Sequence, residues 1–166
     1  MNLCVLAPSR EEIRIRKRNR GFNSKSKIQK FKIDNMAGEK ILLVEDNPVN
    51  RRLAEFLLRS QGYQVCQATT AQEAFEMLQT ERPDLIVMDI QLPGMDGLEV
   101  TRKLKEQPAT ADIPVIAVTS YAMKGDREKA LAAGCVGYVT KPIDKNIFIQ
   151  EVAAHLGNKS RIEDGG

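Results

Sequence analysis

Short apolar runs, each one strand long and each closing on a polar residue, recur between residues 41 and 142 and leave few folds open. They are Ile41-Leu-Leu-Val-Glu-Asp46, Leu85-Ile-Val-Met-Asp89, Val115-Ile-Ala-Val-Thr119 and Gly137-Tyr-Val-Thr-Lys-Pro142. Their Ile- and Val-rich cores lack polar alternation, so they read as strands buried on both faces, as in parallel sheets. Between them the hydrophobic period becomes helical. A strand at 41–45 precedes a helix at about 48–61, where Val49, Leu53, Phe56, Leu57 and Ser60 recur at helical spacing. Pro48 suits its first turn and Gly62 its exit. A strand at 64–68 leads to a helix at 71–81, for which Thr70 and Glu73 offer a capping box. The strand at 85–89 is followed by a helix at about 97–106, the strand at 115–119 by a helix near 124–133 that ends at Gly134, and the strand at 137–140 by a helix at 145–156 with Asp144 as N-cap.

Strict alternation of five strands and five helices predicts an α/β fold, a doubly wound five-stranded parallel sheet. Right-handed crossovers between neighbouring strands fit the order 2-1-3-4-5, in the manner of flavodoxin. Ligands of such sheets bind beyond the carboxyl ends of the strands. That order sets Glu45 and Asp46 beside Asp89, and brings Thr119 and Lys141 to the same edge.

Three clustered carboxylates repel one another and invite a cation. All the donors are oxygens, which favours a hard divalent ion such as Mg²⁺, usually held by one or two carboxylates with waters and phosphate. His155 is the only histidine, so nothing resembles a zinc site. A central carboxylate can accept a phosphoryl group as nucleophile. Phosphoryl transfer depends mainly on positioning and on neutralising the transferred oxygens, for which Lys141 and Thr119 are suited. At this point blander roles stay open: Asp89 as a loop cap, Glu45 and Asp46 as solvated turn residues, Tyr138 as a core aromatic, and Thr119 as a satisfied hydroxyl. His155 reads as a charge near the end of the last helix.

The segments Val44-Glu-Asp-Asn-Pro-Val-Asn50, Met88-Asp-Ile-Gln-Leu-Pro-Gly-Met-Asp-Gly97, Ala117-Val-Thr-Ser120 and Tyr138-Val-Thr-Lys-Pro142 stand in the order and spacing of one family. On them, roughly residues 39–156 resemble the receiver domains of two-component response regulators. The resemblance implies Asp89 as phosphoacceptor, with Mg²⁺ held by Asp46, Asp89 and the backbone carbonyl of Gln91, and by Glu45 directly or through water. Mn²⁺ would be a substitute ion. It further implies Thr119 as the switch hydroxyl, Tyr138 as the switch aromatic, Lys141 as the phosphate clamp and a cis peptide before Pro142. The implied partners are a histidine kinase or histidine phosphotransfer protein and a downstream target reached through the fourth helix, fifth strand and fifth helix. A phosphorylation-linked homodimer is also compatible. The segment Tyr121-Ala-Met-Lys-Gly-Asp126 is similar to single-domain regulators and to receivers of hybrid histidine kinases. Gln91 and Tyr121, each two residues past a site residue, are expected to tune dephosphorylation.

Residues 1–35 form a basic leader of net charge +7, against −4 for the remainder, which together give the overall +3. The leader reads as disordered. Met36 opens the compact pattern and offers an alternative start, in which case the leader is not native sequence. A receiver spanning 36–157 and a polar tail at 158–166 complete the expected organisation. Ten residues after Leu156 are too few for an effector domain, so signalling is expected to proceed by docking. Cys66 and Cys135 read as buried thiols, and with no apolar run near the ~20 residues of a membrane span the cytoplasm is the expected compartment. Rival functions are weaker. An aspartate-nucleophile phosphatase needs a second Asp where Gln91 stands. A Rossmann nucleotide site needs a Gly-rich turn where Glu45-Asp-Asn-Pro48 stands. Nucleic-acid binding would rest on the leader's charge alone, and the intact acidic cluster disfavours a docking module that works without phosphorylation.

Overall fold

The computed structural model describes residues 38–120 and 123–156. The leader, Met36, Tyr121, Gly157 and the tail lie outside them. Ten elements alternate: β1 (Lys40–Val44), α1 (Pro48–Ser60), β2 (Gln64–Ala68), α2 (Ala71–Thr80), β3 (Leu85–Asp89), α3 (Gly97–Glu106), β4 (Val115–Thr119), α4 (Asp126–Ala132), β5 (Gly137–Thr140) and α5 (Lys145–Leu156). The sheet is parallel throughout, in the order β2-β1-β3-β4-β5. The expected topology is therefore the observed one.

Successive strand residues point to opposite faces, so each continuous apolar run serves two cores at once. Leu42, Val44, Ile86, Met88, Val115 and Ala117 pack on one side with Ala71 and Ala74 of α2, Val100 and Leu104 of α3 and Ala130 of α4. Ile41, Leu43, Leu85, Val87, Ile116 and Val118 pack on the other with Ala54, Leu57 and Leu58 of α1 and Phe148, Val152 and Leu156 of α5.

Four of the five helix entries are capped by side chains, satisfying amide groups that would otherwise lack partners. Asn47 accepts from the amides of Val49 and Asn50, Asp96 from that of Leu98, and Asp144 from those of Asn146 and Ile147. Thr70 caps α2 through the Glu73 amide, at 3.1 Å. In return the Glu73 carboxylate accepts chiefly from the amide and hydroxyl of Thr69 (2.6 and 2.8 Å) and more weakly from the Thr70 amide, so the expected box is widened by one residue. Helix α4 starts at Asp126, later than the pattern predicts, because Gly125 before it takes φ +102°, a left-handed conformation that side chains disfavour.

The helical stripe read in the α1 sequence is only partly the one it buries: of its apolar members Leu57 is buried. Val49 and Phe56 are 73% and 70% exposed, and the sheet is met by Ala54, Leu57 and Leu58. Cys135 is a buried free thiol. Cys66 is disulfide-bonded, against the expectation of a free thiol. Among the described residues no helix is long and apolar enough to cross a membrane.

Candidate functional site

Five loops leave the carboxyl edge of the sheet, and three of them deliver the charged groups of the site. Glu45 follows the last ladder residue of β1, and its amide still donates to the Ala68 carbonyl of β2 at 3.1 Å, which carries the strand one residue further. Asp89 ends β3, the central strand flanked by β1 and β4. Lys141 follows β5, tied back by its amide to the Thr119 carbonyl at 2.7 Å, and the Lys141–Pro142 peptide is cis.

Glu45 and Asp89 are 3% and 2% exposed, whereas Asp46 beside them is open to solvent. One oxygen from each of the three carboxylates lies within 4.8 Å of the others. Lys141 bridges the buried pair, its Nζ standing 2.7 Å from Asp89 Oδ2 and 2.8 Å from Glu45 Oε2. The second Asp89 oxygen, Oδ1, accepts from the Gln91 amide at 2.9 Å, so both oxygens of that carboxylate are aimed. Among the described residues no buried side-chain nitrogen or oxygen lacks a hydrogen-bond partner.

Burial pushes the Glu45 carboxyl above its ordinary range; the Lys141 hydrogen bond opposes this and the nearby Asp89 charge adds to it. Burial alone would lower the Lys141 ammonium, yet its bonds to Asp89 and Glu45 outweigh that cost and hold it above its ordinary value. The site therefore keeps one cation against three acids. The remaining negative charge, and an all-oxygen donor set with one member facing solvent, fit a hard divalent cation.

Thr119 closes β4 and is 1% exposed. Tyr138 lies on β5 in register with Ala117 and packs partly buried against the α2–α3–α4 core, where burial raises its phenol. The Gln91 side chain is exposed. His155 pairs with Glu151 at 3.4 Å on α5 and takes no part in the acidic cluster.

Two residues that shape the site were not assigned a site role from the sequence. Gly97 opens α3 directly against the chain after the acceptor strand: its amide donates to Ile90 O at 2.8 Å, and an added Cβ would collide with the Asp89 carbonyl oxygen. Arg51 reaches back from α1 to the carbonyls of Glu45 and Asp46, both at 3.0 Å. Its spacing from the acidic pair was the available signal, since a residue four after an N-cap stands just above the loop that the cap closes.

A doubly wound sheet of this strand order, with an acidic pocket after β1 and β3 closed by a lysine after β5, defines a receiver. The chain belongs to the response regulator receiver domain family, whose model matches residues 41–153. It is a signalling domain of two-component systems, which work by phosphorylation. It is similar to the polar-differentiation response regulator DivK of Brucella anthropi, 44% identical over 118 residues that cover 71% of this chain and 96% of the relative. DivK of Brucella ovis is 43% identical over the same shares. Among solved structures it is similar to the receiver domain of the sensor histidine kinase PA1611 from Pseudomonas aeruginosa, which holds a magnesium ion coordinated in its active site cleft. That likeness has a TM-score of 0.67 at 40% identity, covering 73% of this chain and 99% of the other. A CheY-like receiver from Methanospirillum hungatei gives a TM-score of 0.68 at 28% identity over 74% and 97% of the two chains.

Proposed function

We propose that Asp89 is the phosphoacceptor of this receiver and that Lys141 is its phosphate clamp. The observation that carries this is the placement of Lys141 Nζ 2.7 Å from Asp89 Oδ2, inside a pocket where Glu45 and Asp46 converge on the same carboxylate. In the proposed reaction an Asp89 carboxylate oxygen attacks phosphorus. The bond from phosphorus to a histidine nitrogen of the donor breaks, and its electron pair stays on the imidazole. The donor is a histidine kinase or a histidine phosphotransfer protein.

Glu45, Asp46, Asp89 and the Gln91 carbonyl would hold Mg²⁺, with Mn²⁺ as a substitute. The bound ion supplies neutralisation of charge on the transferred phosphoryl oxygens. Lys141 leaves the carboxylate to meet another of those oxygens, and the Thr119 hydroxyl moves to a third. The space Thr119 vacates admits Tyr138, which repacks the α4–β5–α5 surface for a downstream protein or a second copy of the chain. Phosphorylation thus biases a two-state equilibrium through added charge and acceptor oxygens.

Self-catalysed hydrolysis of the acyl phosphate resets the switch. Gln91 and Tyr121 set its rate, with Tyr121 slowing attack by water, so Tyr121→Ala is expected to dephosphorylate faster. An unchanged or slower rate would refute that role. The receiver occupies residues 36–157, between a basic leader and a polar tail.

The central test is labelling by acetyl phosphate in the presence of Mg²⁺. Wild-type protein takes up phosphate and Asp89→Asn does not; labelling that persists in Asp89→Asn would reassign the acceptor.

A further inference from the structure

We propose that Arg51 is a positioning residue for the metal-binding carboxylates: its guanidinium fixes the backbone of Glu45 and Asp46 so that their side chains converge on Asp89. The inference rests on the metal site proposed above. One guanidinium nitrogen, Nη1, donates to two consecutive carbonyls, those of Glu45 and Asp46, each at 3.0 Å. Two successive carbonyls aimed at a single donor fix the two peptide planes that flank Asp46. The Asp46 side chain is exposed, so its direction depends on those planes more than on packing.

Further ties of the loop come from the start of the same helix. The Asn47 amide donates to Glu45 Oε1 at 3.1 Å, while the Asn47 side chain caps the first turn of α1. The Arg51 amide donates to the Asn47 carbonyl at 2.9 Å, so Arg51 belongs to the turn that the cap initiates. Its charge is also felt at the start of α2. The Glu73 carboxyl at the start of α2 is held below its ordinary range first by the Thr69 amide and hydroxyl, and further by the Arg51 charge. Arg51 is half-buried, whereas the neighbouring Arg52 is exposed.

Two effects of this cation oppose each other. A positive charge near the carboxylates weakens cation binding, but Arg51 meets the loop at its partly exposed rim, where solvent and salt screen charge. Mg²⁺ demands near-ideal geometry from its ligands, so a loop already held in place avoids an ordering cost on binding. Preorganisation outweighs repulsion here, and Arg51 raises Mg²⁺ affinity despite its charge.

The test is a titration of the unphosphorylated full chain with Mg²⁺ alone, followed by NMR at the amides of Asn47 and Gln91, which donate to Glu45 and Asp89. Arg51→Met is expected to weaken Mg²⁺ binding by about tenfold, the scale seen for groups that orient metal ligands. Arg51→Lys, which keeps a donor and a charge, regains part of the loss, and Arg52→Met changes nothing. Acetyl phosphate labelling of Arg51→Met is slow at low Mg²⁺ and returns to the wild-type rate at saturating Mg²⁺, because the reacting groups are intact.

Binding by Arg51→Met as tight as wild type, or tighter, overturns the inference; so does a labelling rate that stays low at saturation. If Arg51→Met fails to fold, the comparison of Arg51→Lys with Arg52→Lys decides the same question, weaker binding being expected only in the first. Wild-type protein that shows no Mg²⁺ binding would overturn the proposed metal site and this inference together. Wild-type binding with no change in either Arg51 variant overturns the inference alone.

Discussion

Lys141 and Asp89, 52 residues apart in sequence, meet at 2.7 Å in a site where both are largely removed from solvent. A lysine so placed compensates two buried acids at once, since Glu45 is its second partner at 2.8 Å. Removing it leaves buried like charges facing each other, and deleting one member of a buried ion pair is strongly destabilising. Partial protonation of the acids relieves some of that cost. Lys141→Met is therefore expected to lose about 2–4 kcal/mol of unfolding free energy in EDTA. Added Mg²⁺ should restore part of it, because a ligand that binds only the folded state stabilises it. Urea unfolding with and without Mg²⁺ checks both statements, and equal stability of variant and wild type in EDTA would contradict the first.

Gly97 carries a second constraint on the acceptor. An added Cβ would run into the Asp89 carbonyl oxygen and stand 2.9 Å from Ile90 Cα, and both are backbone atoms that cannot turn aside. Alanine is otherwise the better helix residue, so propensity alone predicts a gain. The steric term decides: Gly97→Ala is expected to lose about 1–3 kcal/mol, the cost of overpacking a close-packed site. The same shift moves the Asp89 chain, so acetyl phosphate labelling should slow as well. A variant as stable as wild type by thermal melting would show that the loop yields without strain.

How far the sequence carried depended on where information was local. Strand runs, turn glycines and caps are written in neighbouring residues, so the five strands, their order and the meeting of Glu45, Asp46, Asp89 and Lys141 at one edge were legible. Helix α1 was found for a reason that did not predict its orientation. Of the apolar residues read at helical spacing Leu57 is buried, but Val49, Leu53 and Phe56 form a stripe that is exposed, and the sheet buries the neighbouring stripe of Ala54, Leu57 and Leu58. Both stripes satisfy the period, and only the position of the sheet chooses between them. Gly97 and Arg51 escaped for a related cause, because each acts on backbone atoms that approach only once the fold has formed.

That choice of stripe is measurable. Leu57 is 4% exposed and Phe56 is 70% exposed, though the two are adjacent in sequence. Leu57→Ala is expected to lose about 2–5 kcal/mol through lost burial and the cavity left behind. Phe56→Ser should stay within about 0.5 kcal/mol of wild type, as surface substitutions do. Urea denaturation of the two variants gives the comparison. A Phe56→Ser loss equal to that of Leu57→Ala would mean that α1 is rotated from the orientation described.

Glu73 makes stability depend on pH in a definite direction. Its carboxylate accepts from the amide and hydroxyl of Thr69, and these bonds hold it below the ordinary value of 4.5. A carboxyl lowered on folding stabilises the native state above its unfolded pKa, and that contribution disappears as pH falls through the folded value. Glu73→Ala is expected to lose about 0.5–2 kcal/mol at neutral pH, the scale of a helix-terminal cap. The difference from wild type should then narrow as pH drops from 4.5 downward, because the wild-type carboxylate takes up its proton in that interval. Urea unfolding of both proteins at several pH values reads this directly. A difference that stays constant into the acid range would mean that Glu73 stabilises the start of α2 by packing and not by its charge.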